Sequence, residues 1–215
     1  IAQDLGVYGY AGGNVGTQDA RENLGVTIGS GVYGAYGLDA GVMIDWFHPS
    51  GSINLYQARA FVQSAFSTTD RLGLRFAVPF SGDIYVKGPY LIEWKFELAG
   101  YIGMYWQHSW YDELSSELGL YYVGGDVDSG MISANLIYYY NETIDFRFSS
   151  MSDFRGDQAD FGLFLDVKIG PGATRMTTFN RYRFSNGGAA SHYNCILNIP
   201  YHPLAPVWDP DLYWD

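Results

Sequence analysis

Residues 91–108 alternate with a period of two. One face takes Ile92, Trp94, Phe96, Leu98, Gly100, Ile102, Met104 and Trp106; the other takes Glu93, Lys95, Glu97, Ala99, Tyr101, Gly103, Tyr105 and Gln107. Successive side chains of a strand point to opposite faces, so this segment reads as a strand with one apolar and one polar face. Helical spacing would scatter Glu93, Lys95 and Glu97 around the axis. A chain written this way must give each strand two different environments.

The same grammar recurs. Leu38, Ala40, Val42, Ile44 and Trp46 oppose Asp39, Gly41, Met43 and Asp45; Leu72, Leu74, Phe76 and Val78 oppose Arg71, Gly73 and Arg75. Leu114, Leu118, Leu120 and Tyr122 oppose Glu113, Glu117 and Tyr121. Ile144, Phe146 and Phe148 oppose Asp145 and Arg147, and Phe161, Leu163, Leu165, Val167 and Ile169 oppose Asp160, Asp166 and Lys168. Weaker cases included, the pattern predicts about twelve strands. They fall at 5–12, 22–33, 36–47, 53–67, 71–80, 91–106, 113–123, 130–140, 143–151, 159–169, 173–184 and 191–201. Residues 1–201 are expected to form one β-domain, and 202–215 a Pro-rich extended tail, because proline cannot donate to a ladder.

Connection lengths choose among all-β architectures. Longer connections are expected at 13–21, 48–52, 81–90, 124–129, 152–158 and 185–190, and tight ones at 34–35, 68–70, 141–142 and 170–172. Short turns at one end and longer loops at the other are the habit of up-and-down membrane barrels. A Greek-key sandwich needs a long crossover between sheets. The expected fold is a closed, up-and-down antiparallel β-barrel of about twelve strands, with a β-sandwich as the alternative.

Which solvent meets the apolar faces decides the function. Charged residues are 16% of the chain, against roughly 25% in soluble domains, so part of the exterior is expected to lie outside water. No run reaches the ~20 apolar residues of a membrane helix, so a membrane would be crossed by strands. Trp94 and Trp106 bracket one apolar face, and Tyr193 and Tyr201 another (Cys195, Leu197, Ile199), as aromatic residues do at a lipid boundary. Tyr56, Ala58, Ala60, Val62 and Phe66 form a small-residue face that suits lipid better than a close-packed core. Asn180, between Thr178 and Tyr182, runs against this pattern, since an amide facing hydrocarbon is costly.

These strands and turns resemble those of bacterial outer-membrane β-barrel proteins, in particular the narrow channels of about twelve strands among them. The resemblance is architectural, covers about residues 5–201 and carries no family motif. It implies an outer-membrane location, lipid as partner, and a narrow channel or a structural surface protein. Residues Arg59, Arg71, Arg75, Glu93, Lys95, Glu97, Asp145, Arg147, Asp166 and Lys168 are then expected to face the lumen, either setting which solutes pass or stiffening a plugged barrel. The alternative is an extracellular soluble sandwich that binds glycans or self-associates into a surface layer or filament.

Other motifs are weak. Asp126 and Asp128, two apart before Gly130, have the spacing of calcium loops, but no distal Glu follows in that segment; an ordinary hairpin is the better reading. Arg155-Gly156-Asp157 resembles an integrin-recognition tripeptide, yet three residues recur by chance. Asn141-Glu142-Thr143 is a glycosylation sequon at a turn. A single cysteine, Cys195, allows no intramolecular disulfide. The formal net charge of −11 disfavours nucleic acid, which needs basic surface. Catalysis and cofactors are not expected; His108 with Ser109 is the first pair to test for hydrolase chemistry.

Overall fold

The computed structural model describes residues 6–18, 21–33, 38–49, 54–80, 84–87, 93–98, 100–124, 129–141, 143–155, 158–170, 174–176, 183–185 and 196–201. Among these there is no helix. The strands are β1 (Gly6–Gln18), β2 (Arg21–Tyr33), β3 (Asp39–Pro49), β4 (Leu55–Ala65), β5 (Asp70–Pro79), β6 (Ile84–Lys87), β7 (Glu93–Leu98) and β8 (Gly100–Tyr111). There follow β9 (Leu114–Gly124), β10 (Ser129–Tyr139), β11 (Ile144–Arg155), β12 (Gln158–Ile169), β13 (Thr174–Met176), β14 (Arg183–Ser185) and β15 (Ile196–Tyr201).

Ten of them close a barrel in the order β1-β12-β11-β10-β9-β8-β5-β4-β3-β2, every neighbour antiparallel. Closure runs through β1, which pairs Asn14 with Gly25 of β2 on one side and with Asp166 of β12 on the other. A closed ring leaves no open edge. The fold is therefore the expected antiparallel barrel, not a sandwich.

Several details differ from the sequence reading. The wall has ten strands among the described residues. There, 173–184 and 191–201 contribute β13, β14 and β15, which pair outside the ring. Residues 91–106 are not one strand either. β7 joins β6 and β15 in a small separate sheet, and β8 starts at Gly100.

Pro79 supplies the reason. It has no N–H to donate and ends β5, so the β5–β8 ladder stops at Ala77↔Tyr101. Residues before Gly100 find no strand beside them in the wall. At the other end of the chain, residues 13–18 belong to β1, not to a loop. The expected alternation of turn lengths also fails. One rim carries connections 19–20, 50–54, 80–99, 125–128 and 156–157, the other 34–38, 66–69, 112–113 and 140–143. Only 80–99 is long. The first rim is called the loop side here and the second, where β1 begins and β12 ends, the terminus side.

Candidate functional site: the barrel wall and its interior

The alternation of each strand resolves into outside and inside. Val42, Ile44, Leu72, Leu74, Phe76, Val78, Ile102, Met104, Leu118, Leu120, Phe148 and Leu165 all point outward and are exposed. Ile28 reaches 66% exposure and Val42 60%, values that a soluble protein would avoid on a contiguous surface. The polar face is the buried one: Arg71, Arg75, Asp45, Asp166 and Lys168 are each 0% exposed. Apolar outside and charged inside inverts the arrangement of a soluble protein.

Aromatic side chains border the outer band at both rims. Trp46, Tyr56, Phe80, Tyr122, Phe154 and Phe161 lie toward the loop side; Phe66, Trp106, Trp110, Tyr138, Tyr140 and Phe146 toward the terminus side. Each of the three indoles has its N–H satisfied at the rim. Trp46 Nε1 donates to Asn54 Oδ1 at 2.9 Å, Trp106 Nε1 to Asp70 Oδ1 at 2.9 Å, and Trp110 Nε1 to Ser116 Oγ at 3.0 Å. An apolar ring with a hydrogen-bonded N–H is what a water–lipid boundary selects. Between Tyr56 and Phe66, about ten strand positions at ~3.3 Å and a tilt of ~40° give a height of roughly 25 Å, the band of a membrane barrel. Trp106 belongs to this border, whereas Trp94 lies on β7 and Tyr201 on β15, outside the ring; Tyr193 and Cys195 lie outside the described residues.

The interior is filled by paired charges. Asp45 of β3 is gripped by Arg59 of β4 through both Nε and Nη2, the latter 2.7 Å from Oδ1. It also accepts from Thr27 Oγ1 at 2.7 Å and Gln57 Nε2 at 3.0 Å. Glu117 of β9 sits between two guanidinium groups, Arg75 Nη2 at 3.2 Å and Arg147 Nη1 at 3.8 Å, and accepts from Asn135 Nδ2 at 2.9 Å. Arg75 lies 4.2 Å over the Tyr105 ring and donates to Tyr121 Oη at 2.8 Å. Tyr105 Oη in turn donates to Gln63 at 2.8 Å, and Gln63 Nε2 to Asp39 at 2.8 Å. Lys168 Nζ meets Asp145 at 3.0 Å, and Ser149 Oγ donates to Asp166 at 2.8 Å. Charges taken out of water persist only with this degree of compensation.

Among the described residues the buried charges balance: Asp39, Asp45, Glu117, Asp145 and Asp166 against Arg59, Arg71, Arg75, Arg147 and Lys168. Toward the loop side the lining turns apolar, with Ala77, Tyr101, Tyr121, Val123, Met131, Met151 and Phe164 forming one buried cluster. Tyrosine rings lie flat against the wall where glycines face inward. A Cβ on Gly73 would collide with the Tyr105 ring, and one on Gly119 with Tyr121. Among the described residues the interior thus presents a buried polar layer, with an apolar layer toward the loop side.

Of the residues singled out in the sequence, Arg59, Arg71, Arg75, Asp145, Arg147, Asp166 and Lys168 lie together on the buried face. Glu93, Lys95 and Glu97 belong to β7, which is not a strand of the ring. Asp45, Glu117, Asp39 and Gln63 were missed, although each has the inward parity of its strand. His108 and Ser109 point to opposite sides of the wall. Ser109 is buried and its Oγ donates to Tyr111 O at 3.2 Å, while His108 faces the outer rim, so they form no catalytic pair. The Asn141 side chain closes a turn, accepting from the N–H groups of Thr143 at 2.7 Å and Ile144 at 2.9 Å. No group of His, Cys, Asp and Glu among the described residues is arranged for a metal. Asp126, Asp128, Gly156 and Asp157 lie outside the described residues.

A closed ring of ten antiparallel strands, apolar without and charged within, defines a barrel of the membrane-spanning type. Among solved structures the chain is similar to the KdgM porin, with a TM-score of 0.48 and 11% identity over 74% of this chain and 98% of that one. It is similar also to the KdgM porin in complex with disordered oligogalacturonate, at 0.46 and 10% identity over 74% and 98%. No family model and no curated protein matches it.

Proposed function

We propose that the chain is an integral β-barrel of the bacterial outer membrane, without catalytic activity, whose interior is sealed by its own side chains. The observation that carries this is the outward apolar band on a closed ring, bordered by aromatic residues at both rims. Lipid is the partner such a wall requires, since exposed Ile28, Val42, Ile44 and Leu120 have no protein layer over them. The interior supports a structural role over a wide diffusion pore. Arg59, Arg75, Glu117, Arg147 and Lys168 are almost wholly inaccessible to solvent and bridge strands, which supports the sealed reading.

A narrow channel is the second reading, favoured by the polarity of that same core. A conduit for small solutes would run through the Arg75–Glu117–Arg147 contacts and would need them to part. Balanced interior charge predicts little cation–anion preference in that case.

Planar-bilayer recording separates the two. The wild-type barrel is expected to give no steady conductance steps. The double substitution Arg75→Ala with Glu117→Ala removes one charge of each sign from the Arg75–Glu117–Arg147 cluster, and is expected to produce small ones. Steady conductance from the wild type would replace the sealed reading with the channel reading.

A further inference from the structure

The terminus-side rim carries a polar cluster that the interior does not use. Asp70, the first residue of β5, accepts from Ser67 Oγ at 2.6 Å, Thr69 Oγ1 at 2.8 Å and Trp106 Nε1 at 2.9 Å, and His108 Nδ1 lies 2.8 Å from its Oδ1. Ser67 and Thr69 engage one carboxylate oxygen and Trp106 and His108 the other. With both oxygens engaged, Asp70 fixes the neighbouring rings: Trp110 stands edge-on to His108, their centroids 4.6 Å apart.

Beside this cluster the outer wall has an open groove of about 600 Å³ lined by Ser64, Ala65, Phe66, Leu72 and Trp106. It lies at the membrane boundary and is apolar except at its rim end. The adjacent β8–β9 turn exposes two carboxylates, Asp112 and Glu113. Every lysine and arginine whose burial is described points into the barrel.

We propose that this groove binds one phospholipid with a primary-ammonium headgroup, its acyl chain along Phe66, Leu72 and Trp106 and its ammonium at Asp112, Glu113 and the Trp110 ring. The proposal rests on the membrane reading above. An ammonium donates three hydrogen bonds to carboxylates and is attracted to an indole face. A quaternary ammonium keeps the ring attraction but has no N–H to donate, and an anionic headgroup would meet like charge.

The test uses the full chain folded into phosphatidylcholine vesicles, with insertion verified by the heat-dependent gel shift of a folded barrel. Tryptophan quenching is titrated with acyl-brominated phosphatidylethanolamine, phosphatidylcholine and phosphatidylglycerol. Phosphatidylethanolamine is expected to bind about fivefold more tightly than phosphatidylcholine, the ratio that ~1 kcal/mol of headgroup contact gives. That excess disappears in the exposed-turn variant Asp112→Asn with Glu113→Gln, and the site-specific quenching is lost in Trp106→Phe. Equal quenching by the three lipids, or a preference for phosphatidylglycerol, overturns the site while leaving the barrel in the membrane. A chain that shows no gel shift and does not insert overturns the membrane reading and the site with it.

Discussion

Replacing Glu117 by alanine is expected to destabilise the barrel by about 3–5 kcal/mol, the cost of leaving buried charges without their partner. Glu117 is the carboxylate between Arg75 and Arg147, and it also accepts from Asn135. Its loss sets two buried guanidinium groups facing each other. The readout is the urea midpoint of folding in detergent micelles, followed by the gel shift between folded and unfolded forms. The double variant Arg75→Met with Glu117→Leu removes one charge of each sign and is expected to recover much of the loss, because paired replacement of buried ions by apolar groups is often neutral. If Glu117→Ala leaves the midpoint unchanged, the interior is wet and the sealed-core account fails.

The second large effect belongs to the outer face. Leu120 lies between Met104 of β8 and Ile132 of β10, midway along the outward face of β9. Leu120→Arg is expected to cost about 2–4 kcal/mol when the barrel folds into lipid vesicles, since an arginine near the bilayer midplane is that expensive. Thr143→Arg, in the β10–β11 turn, places the same side chain in water, and a change within about 0.5 kcal/mol is expected. On a protein dissolved in water the two would behave alike, because both positions are exposed. Equal stabilities would therefore exclude lipid as the solvent of this face.

The period-two pattern made most of the wall legible. Along β3, β5, β9, β11 and β12 the apolar parity is the outer parity and the charged parity the inner one. The same rule reaches Asp45 and Glu117, which sit on the parity opposite Ile44 and Leu118. What the pattern cannot carry is pairing. Residues 91–106 alternate without a break, yet strand membership needs a neighbour: Pro79 ends β5 on one side, and on the other β9 ends at Gly124, opposite Gly100. The second half of β1 was missed for the converse reason. Gly13, Asn14 and Gly16 have little apolar character and read as a loop, but hydrogen bonds from β2 on one side and β12 on the other hold them in the ring. Ring closure lies in contacts between distant residues, so neither the ten-strand count nor the bridge from Arg75 to Glu117 is written in any local segment.

The central claim is that hydrocarbon covers the outer band, and spin-label accessibility tests it most directly. Single labels are placed at Leu120, Ile132 and Phe148 in a Cys195→Ser background, in the vesicle-inserted protein. Collision rates are measured with dissolved oxygen, which concentrates in lipid, and with a water-soluble nickel chelate. The account predicts high oxygen and low nickel accessibility at all three. High nickel accessibility would mean these residues meet water, and low values for both reagents would mean a second protein layer covers them; either result contradicts the account.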